Sequence, residues 1–309
     1  MNMAESRNIT SSSLRGTMRQ QVDMSRYVSW RAGGVVERMY QPADIADLQL
    51  FLRNLPPDEP LYALGLGSNL LVRDGGLKGT ILLLHGVLSE LHVENHGEIY
   101  TEAGVPGAKL ARFAALHDLS GAAFFAGIPG TVGGMLSMNA GCYGSQTWEK
   151  VSKVMTVNRR GEANIRSPAD YEIGYRQVAL HDGEEEWFVA AWLKFERGNE
   201  NDARQEIRAL LRKRIASQPL NLPNAGSVFR NPPSDHAARL IEQCGLKGKR
   251  IGAAQVSEKH ANFIVNSGNA SATNIEQLIN QVQSTVEQRT GISLFCEVRI
   301  VGEQKKITG

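Results

Sequence analysis

The sequence predicts a protein of two or three domains that mixes strands and helices in a β/α pattern, on three observations. Short apolar runs of strand length alternate with helix-period stretches along most of the chain. Glycine-rich loops join them, and 31 glycines exceed average usage without a collagen period. The 309 residues also exceed the roughly 100–200 expected of one domain.

A chain of this length can bury a sizeable core without disulfides or a structural metal. Its 42% hydrophobic and 21% charged residues are ordinary globular usage. A net charge of +2 supplies no phosphate-seeking field, and no basic aromatic stripe appears, so nucleic acid is not an expected partner. Cys142, Cys244 and Cys296 are far apart and form no CxxC pair, which fits a reducing compartment. The N-terminal stretch has no apolar signal-peptide core, and Ile81-Leu82-Leu83-Leu84 is too short to cross a membrane. A soluble, cytoplasmic protein is expected.

Residues 1–24 read as a flexible arm, polar and without an apolar period. Asp44 caps a helix carrying Ile45, Leu48, Leu50 and Leu52. Strands are expected at 61–64, 70–73 and 80–84, around the loop 65–69 and the turn Asp74-Gly75-Gly76. A strand at 99–103 precedes a helix marked by Leu110, Phe113, Ala114 and Leu119. Strands near 154–158 and 187–195 follow a second glycine-rich region, 127–144. A charged helix near 203–215 marks a domain boundary and stops before Pro219. A helix over 237–244 ends at Gly245. Thr273 and Glu276 form a capping box for a helix with the stripe Ile275, Leu278, Ile279, Val282 and Val286. Residues 292–300 alternate as a strand, with Glu297 and Arg299 together on the face away from the aliphatic residues.

Two loops can carry chemistry. Gly65-Leu66-Gly67-Ser68-Asn69 follows a strand, and its glycines let backbone N–H groups approach an anion. It is neither a completed GxGxxG fingerprint nor a P-loop, and alone it reads as a tight connection. Gly127-Ile128-Pro129-Gly130-Thr131-Val132-Gly133-Gly134, followed by Asn139-Ala140-Gly141, adds a second set of backbone donors. Together the two could grip a pyrophosphate and the polar edge of a flat cofactor ring. Ser227, in Gly226-Ser227-Val228, lacks a Gly-x-Ser-x-Gly elbow and reads as a turn serine. Spacing alone does not bring it to Arg176 or Glu297, which read as an ordinary arginine and a salt-bridge partner. His92 and His96 are four apart, but residues 95–97 read as a turn, and no metal pattern is present. His260 is the one histidine in a polar stretch that could touch a ligand.

Taken in order, the segments 65–74 (GLGSNLLVRD), 126–144 (AGIPGTVGGMLSMNAGCYG), 174–176 (GYR), 225–232 (AGSVFRNP), 240–266 and 297–302 (EVRIVG) resemble the UDP-N-acetylenolpyruvoylglucosamine reductase family of bacterial peptidoglycan synthesis, also called UDP-N-acetylmuramate dehydrogenases. The resemblance covers nearly everything after the arm. It implies an α+β protein with an FAD-binding fold of the vanillyl-alcohol-oxidase type in two subdomains, 25–85 and 86–202, and a C-terminal α/β substrate-binding domain at 203–309 whose final strand carries Glu297 and Arg299 back to the active site. FAD would be held noncovalently by Gly65, Gly67, Ser68, Asn69, Leu70, Gly130, Thr131, Gly133, Gly134, Asn139, Gly141 and Arg299. No attachment histidine lies in 65–74.

The family's reaction uses NADPH to reduce FAD and then passes hydride to the enolpyruvyl group of UDP-N-acetylglucosamine enolpyruvate, giving UDP-N-acetylmuramate. By resemblance Arg176 and Glu297 stabilise the developing charge and Ser227 donates the proton. Tyr175, Asn231 and His260 match substrate-binding positions, and no obligatory protein partner is implied. Val178 stands where the family commonly has serine, and Cys142 where alanine is usual. The short span between Arg176 and Ser227 resembles the type II form, which lacks the insertion whose tyrosine grips the substrate diphosphate. An FAD-dependent oxidase of the same fold is the nearest rival, though the 226–232 and 297–302 segments do not belong to its pattern. A flavin-binding module without catalysis is the third reading.

Overall fold

The computed structural model describes residues 14–94 and 97–305. The first region is a four-stranded sheet in the order Thr17–Asp23, Val35–Gln41, Leu77–Leu83, Leu61–Leu64. The pair Thr17–Asp23/Val35–Gln41 is antiparallel and the others parallel. Helix α1, Ile45–Asn54, packs Leu48, Phe51 and Leu52 into the core beside this sheet. Asp44 is its N-cap and accepts from the Asp47 N–H.

The second region is a five-stranded antiparallel sheet, ordered Ala163–Arg166, Val151–Asn158, Glu186–Lys194, Glu98–Glu102, Leu91–Val93. Helices α2 (Gly107–Leu116) and α3 (Val132–Ser137) contribute to its apolar core, as does the buried face of α4 (Glu200–Ser217). The C-terminal region packs α5 (Ala237–Gln243) and α6 (Ala272–Thr290) around a small antiparallel sheet, Arg250–Ile251, Ala254–Val256, Ile264–Asn266.

The regions are tied together by residues distant in sequence. Trp30 lies in the C-terminal core; its Nε1 donates to the Ile264 carbonyl and its own carbonyl accepts from Asn266 Nδ2. The final strand, Arg299–Val301, pairs in parallel with Leu70–Val72. Arg73 forms an ion pair with Glu276, and Asp74 accepts from the Ala272 and Thr273 N–H groups.

Several sequence expectations are corrected. Residues 1–13 of the expected arm, and Asn95 and His96 of the expected turn, lie outside the described residues. Residues 17–23, however, form an edge strand of the first sheet. Its first five side chains are exposed, so a backbone ladder rather than an apolar period holds it. Leu119 lies beyond α2, in a short strand after the left-handed Asp118. The capping box of α6 is Ser271 with Asn274, not Thr273 with Glu276, because Thr273 and Glu276 are engaged by Asp74 and Arg73. Of the expected strand 292–300, only Arg299–Val301 pairs regularly. The preceding stretch instead crosses the Ser227 loop, receiving Arg230 N–H at the Phe295 carbonyl and donating Glu297 N–H to the Val228 carbonyl. Its alternation survives in burial, with Leu294 and Val298 inside and Phe295 71% exposed.

Candidate active site

The two glycine loops face one another across a groove of about 160 Å³, whose walls include Gly65, Gly67, Ser68, Asn69, Leu70, Gly130, Thr131, Gly134 and Arg299. Gly65 is required by close packing, since a Cβ there would run into the Thr131 hydroxyl. A Cβ on Gly134 meets only Thr131 Oγ1 at 3.8 Å, so this backbone borders open space. Asn69 locks the first loop in place: its Nδ2 donates to the Glu297 carbonyl at 3.1 Å, and its carbonyl accepts from Arg299 N–H at 3.1 Å.

A second lobe of about 180 Å³ shares Ser68, Asn69, Ile128, Met138 and Ala140 with that groove, so the two form one cleft. Here Arg176, Ser227 and Glu297 converge. Arg176 sits at the tip of the hairpin Tyr171–Gly174/Gln177–Leu180, with φ +57. A non-glycine residue in the left-handed region stores local strain, and the surroundings hold it there. Its Nε donates to Glu297 Oε1 at 2.9 Å, Nη1 to the Asn139 carbonyl at 3.3 Å and Nη2 to the Gly141 carbonyl at 3.0 Å. The guanidinium is therefore fixed before any ligand arrives. Burial pushes the Glu297 carboxyl above its usual range, while Arg176 and Arg230 pull in the opposite direction.

Ser227 is placed by the flanking Gly226, in the left-handed region, and by Asn262. Asn262 brackets the next turn, accepting from Phe229 N–H and donating Nδ2 to the Phe229 carbonyl. Cys142 also lines this lobe, and burial pushes its thiol up to about 11, so it is a neutral wall residue at pH 7. Val178 is half-buried against the middle core and offers no polar group.

Gly67 lines the groove, and its φ of +62, together with the Tyr27 carbonyl that a Cβ would strike, lets only glycine hold this turn. Other expected contacts are placed differently. Gly133 faces Ala103, where a Cβ would come within 3.0 Å, and is absent from the groove wall. Asn139 is buried; its side chain holds Gln146 and Gly174 while its carbonyl holds Arg176. It and Gly141 thus support the arginine. Tyr175 is 51% exposed and lies against Arg176, its ring centroid 5.1 Å from Cζ. Asn231 accepts from Ala237 N–H at the start of α5, outside the cleft walls. His260 packs edge-on against Phe263, and burial, aided by Lys247, lowers its basicity. It reaches the cleft only through Phe263. No metal-ligand group occurs among the described residues, nor any helix long and apolar enough to cross a membrane.

Sequence reasoning missed Arg214, which stands in the last turn of α4 and lines the cleft. Its place in a run of charged helix residues gave no signal. It also missed Trp30 and Asn262, whose roles arise from long-range contacts.

A family described as UDP-N-acetylenolpyruvoylglucosamine reductase, C-terminal domain, matches residues 218–301, and an FAD binding domain family matches residues 12–164. Over 305 residues the chain is 57% identical to a UDP-N-acetylenolpyruvoylglucosamine reductase of Thiobacillus denitrificans, covering 94% of each protein. A reductase of the same name from Methylococcus capsulatus is 52% identical, with 98% of this chain and 99% of that protein covered. The crystal structure of UDP-N-acetylenolpyruvylglucosamine reductase from Thermus caldophilus superposes with a TM-score of 0.79 at 28% identity, over 93% of this chain and 99% of that one. The expected α+β FAD-binding architecture agrees with these matches.

Proposed function

The chain belongs to the UDP-N-acetylenolpyruvoylglucosamine reductase family, and on that premise we propose that it reduces the enolpyruvyl group of UDP-N-acetylglucosamine enolpyruvate to give UDP-N-acetylmuramate, with NADPH as hydride source. The observation that carries the reading is the meeting of Arg176, Ser227 and Glu297 in one cleft continuous with the two glycine loops. The first two regions, from the strand Thr17–Asp23 through α4, would form the FAD-binding part, and the C-terminal region after α4 the substrate domain.

The groove fits FAD: it has two backbone-lined walls, an open edge at Gly134 and the cation of Arg299. Gly65, Ser68, Gly130, Thr131 and Gly134 would hold the cofactor noncovalently, with Arg299 near it. Bound FAD supplies the means of taking hydride from NADPH and delivering it to the second substrate. The chain's own residues do the rest. As negative charge develops on the substrate carboxylate, the fixed Arg176 guanidinium lies ready to stabilise it without reorganisation. Glu297, whose carboxyl burial makes easier to protonate, donates a hydrogen bond to the same charge when it carries a proton. Ser227 Oγ then gives its proton to the carbon that did not receive hydride, which is general acid work on a basic, enolate-like partner. Such a reaction belongs in the cytoplasm, where its product would serve peptidoglycan building and hence cell shape and division.

The alternative oxidase reading differs in its electron acceptor. NADPH consumption that depends on the enolpyruvyl sugar nucleotide under argon, with the reduced sugar recovered, supports the reductase. Turnover that needs oxygen and ignores that substrate contradicts it.

A further inference from the structure

All three nitrogens of the Arg176 guanidinium are engaged, Nε by Glu297 Oε1 and the two Nη atoms by the Asn139 and Gly141 carbonyls. Each Nη keeps one further hydrogen, so a ligand carboxylate can still reach the cation. It then joins Glu297 on a single guanidinium. Two carboxylates at one site do not both stay ionised easily. Glu297 is the one held largely out of water, its side chain 12% exposed.

Glu297 also has a second cation beside it. The Phe229–Cys296 bridge, with Arg230 N–H on the Phe295 carbonyl and Glu297 N–H on the Val228 carbonyl, makes a short antiparallel ladder. Alternation puts Arg230 and Glu297 on the same side of this ladder, as diagonal neighbours roughly 7–8 Å apart and so within reach of a long side chain. Arg230 Nε is buried without a hydrogen-bond partner, and its charge acts on the Glu297 carboxylate. The other ionisable groups facing Glu297 are Arg176 from the hairpin, and Arg214 and Cys142 in the wall of the lobe. Cys296 lies on the opposite side of the ladder, against the C-terminal core, and Arg299 faces the first groove. Both thiols are raised by burial and neutral at pH 7.

We propose that Glu297 takes up a proton from solvent when a ligand carboxylate joins it on Arg176, and that Arg230 is the positioning residue that keeps Glu297 ionised until then. The exchange conserves charge. The cleft gains one carboxylate and neutralises another through a new O–H bond on Glu297, while Arg176 and Arg230 stay cationic throughout. Glu297 thereby reaches its hydrogen-bond-donating form at the moment the substrate arrives. That the ligand is the enolpyruvyl sugar nucleotide rests on the reductase reading.

The test is calorimetric titration of the FAD-loaded protein in buffers of different ionisation heat, which counts the protons taken up on binding. The probes are UDP-N-acetylmuramate, which carries the carboxylate, and UDP-N-acetylglucosamine, which lacks it. From about pH 5 to 9 the wild type should take up a proton with the first probe and not the second, uptake passing through a maximum between the free and bound titrations of Glu297. Glu297→Gln should abolish the uptake. Arg230→Gln should move the maximum to higher pH by about half a unit or more, because the free carboxyl loses a cation. Arg230→Lys, which keeps the charge, should leave it near the wild-type position. A merely structural Arg230 would change affinity without moving the maximum. Arg230→Met, which keeps the apolar stem, carries the test if Arg230→Gln does not fold. Equal uptake with both probes, no uptake with UDP-N-acetylmuramate, or an unmoved maximum in the neutral variants overturns the proposal, as does a wild type that binds neither probe. Failure of the reductase reading would appear separately, as a wild type that shows this uptake yet consumes no NADPH with the enolpyruvyl substrate.

Discussion

Arg176 and Glu297 stand 121 positions apart, yet Arg176 Nε donates a 2.9 Å hydrogen bond to Glu297 Oε1 inside the cleft. One comes from a hairpin tip, the other from the stretch that crosses the Ser227 loop. The pair therefore exists only when the middle sheet and the C-terminal region are both in place. Its balance is unequal: burial raises Glu297 despite the arginine, so the carboxyl holds a proton more readily in the folded protein than in the unfolded chain.

That inequality has a sign in stability. A carboxyl whose folded pKa lies above its unfolded value gives stability that is fully present below the unfolded value and lost as pH rises through the folded one. Glu297→Gln is neutral at every pH and escapes that loss. The variant's unfolding midpoint should therefore gain on the wild type from about pH 4 upward, levelling off above the folded pKa. A difference that stays flat from pH 4 to 8 would contradict the assignment.

Asp74 behaves in the opposite way. Burial works to raise it, but hydrogen bonds from Thr273 and the Ala272 N–H outweigh burial and hold it below the usual carboxylate range. Its stabilising effect is present above the unfolded pKa and lost as pH falls through the folded one. Asp74→Ala leaves the first N–H groups of α6 without this acceptor and should cost about 1–3 kcal/mol at pH 7 by denaturant unfolding. The deficit should shrink in acid; an unchanged deficit at low pH would remove the carboxylate from the explanation.

The glycines of the groove separate cofactor contact from loop geometry. Gly134→Val places methyl groups in open space bordering the groove, so it should lower FAD retention while the apoprotein unfolds near the wild-type midpoint. Gly67→Val meets a left-handed φ of +62 and the Tyr27 carbonyl, so it should destabilise the apoprotein itself. Calorimetry of the two apoproteins checks the contrast. Denaturing the wild type should also release all flavin to the supernatant; flavin left on the precipitate would contradict noncovalent binding.

The elements most legible in the sequence were those with local causes. Asp44 before a helical period and Gly245 after one gave the ends of α1 and α5 closely, because caps and left-handed glycines act within a few residues. The strand Thr17–Asp23 was illegible because its side chains face solvent and its bonds are to a strand in the next segment. The Thr273 capping box is absent for a related reason: Arg73 and Asp74, 203 and 199 positions upstream of their partners Glu276 and Thr273, occupy the side chains that would have formed it. At the site, residue identities and order were readable as a family pattern, while the roles of Asn139 and Gly133 as supports depended on contacts no spacing reveals.

The central claim is that Ser227 acts only after hydride has reached the enolpyruvyl substrate, beside the Arg176–Glu297 pair. Anaerobic stopped-flow absorbance at the flavin band measures the two half-reactions separately in Ser227→Ala. Reduction by NADPH should remain near the wild-type rate, and reoxidation by the enolpyruvyl sugar nucleotide should slow by about 10²-fold or more, with Ser227→Cys recovering part of that loss. Equal slowing of both half-reactions, or of neither, would contradict the claim and leave Ser227 a turn residue in the wall of the cleft.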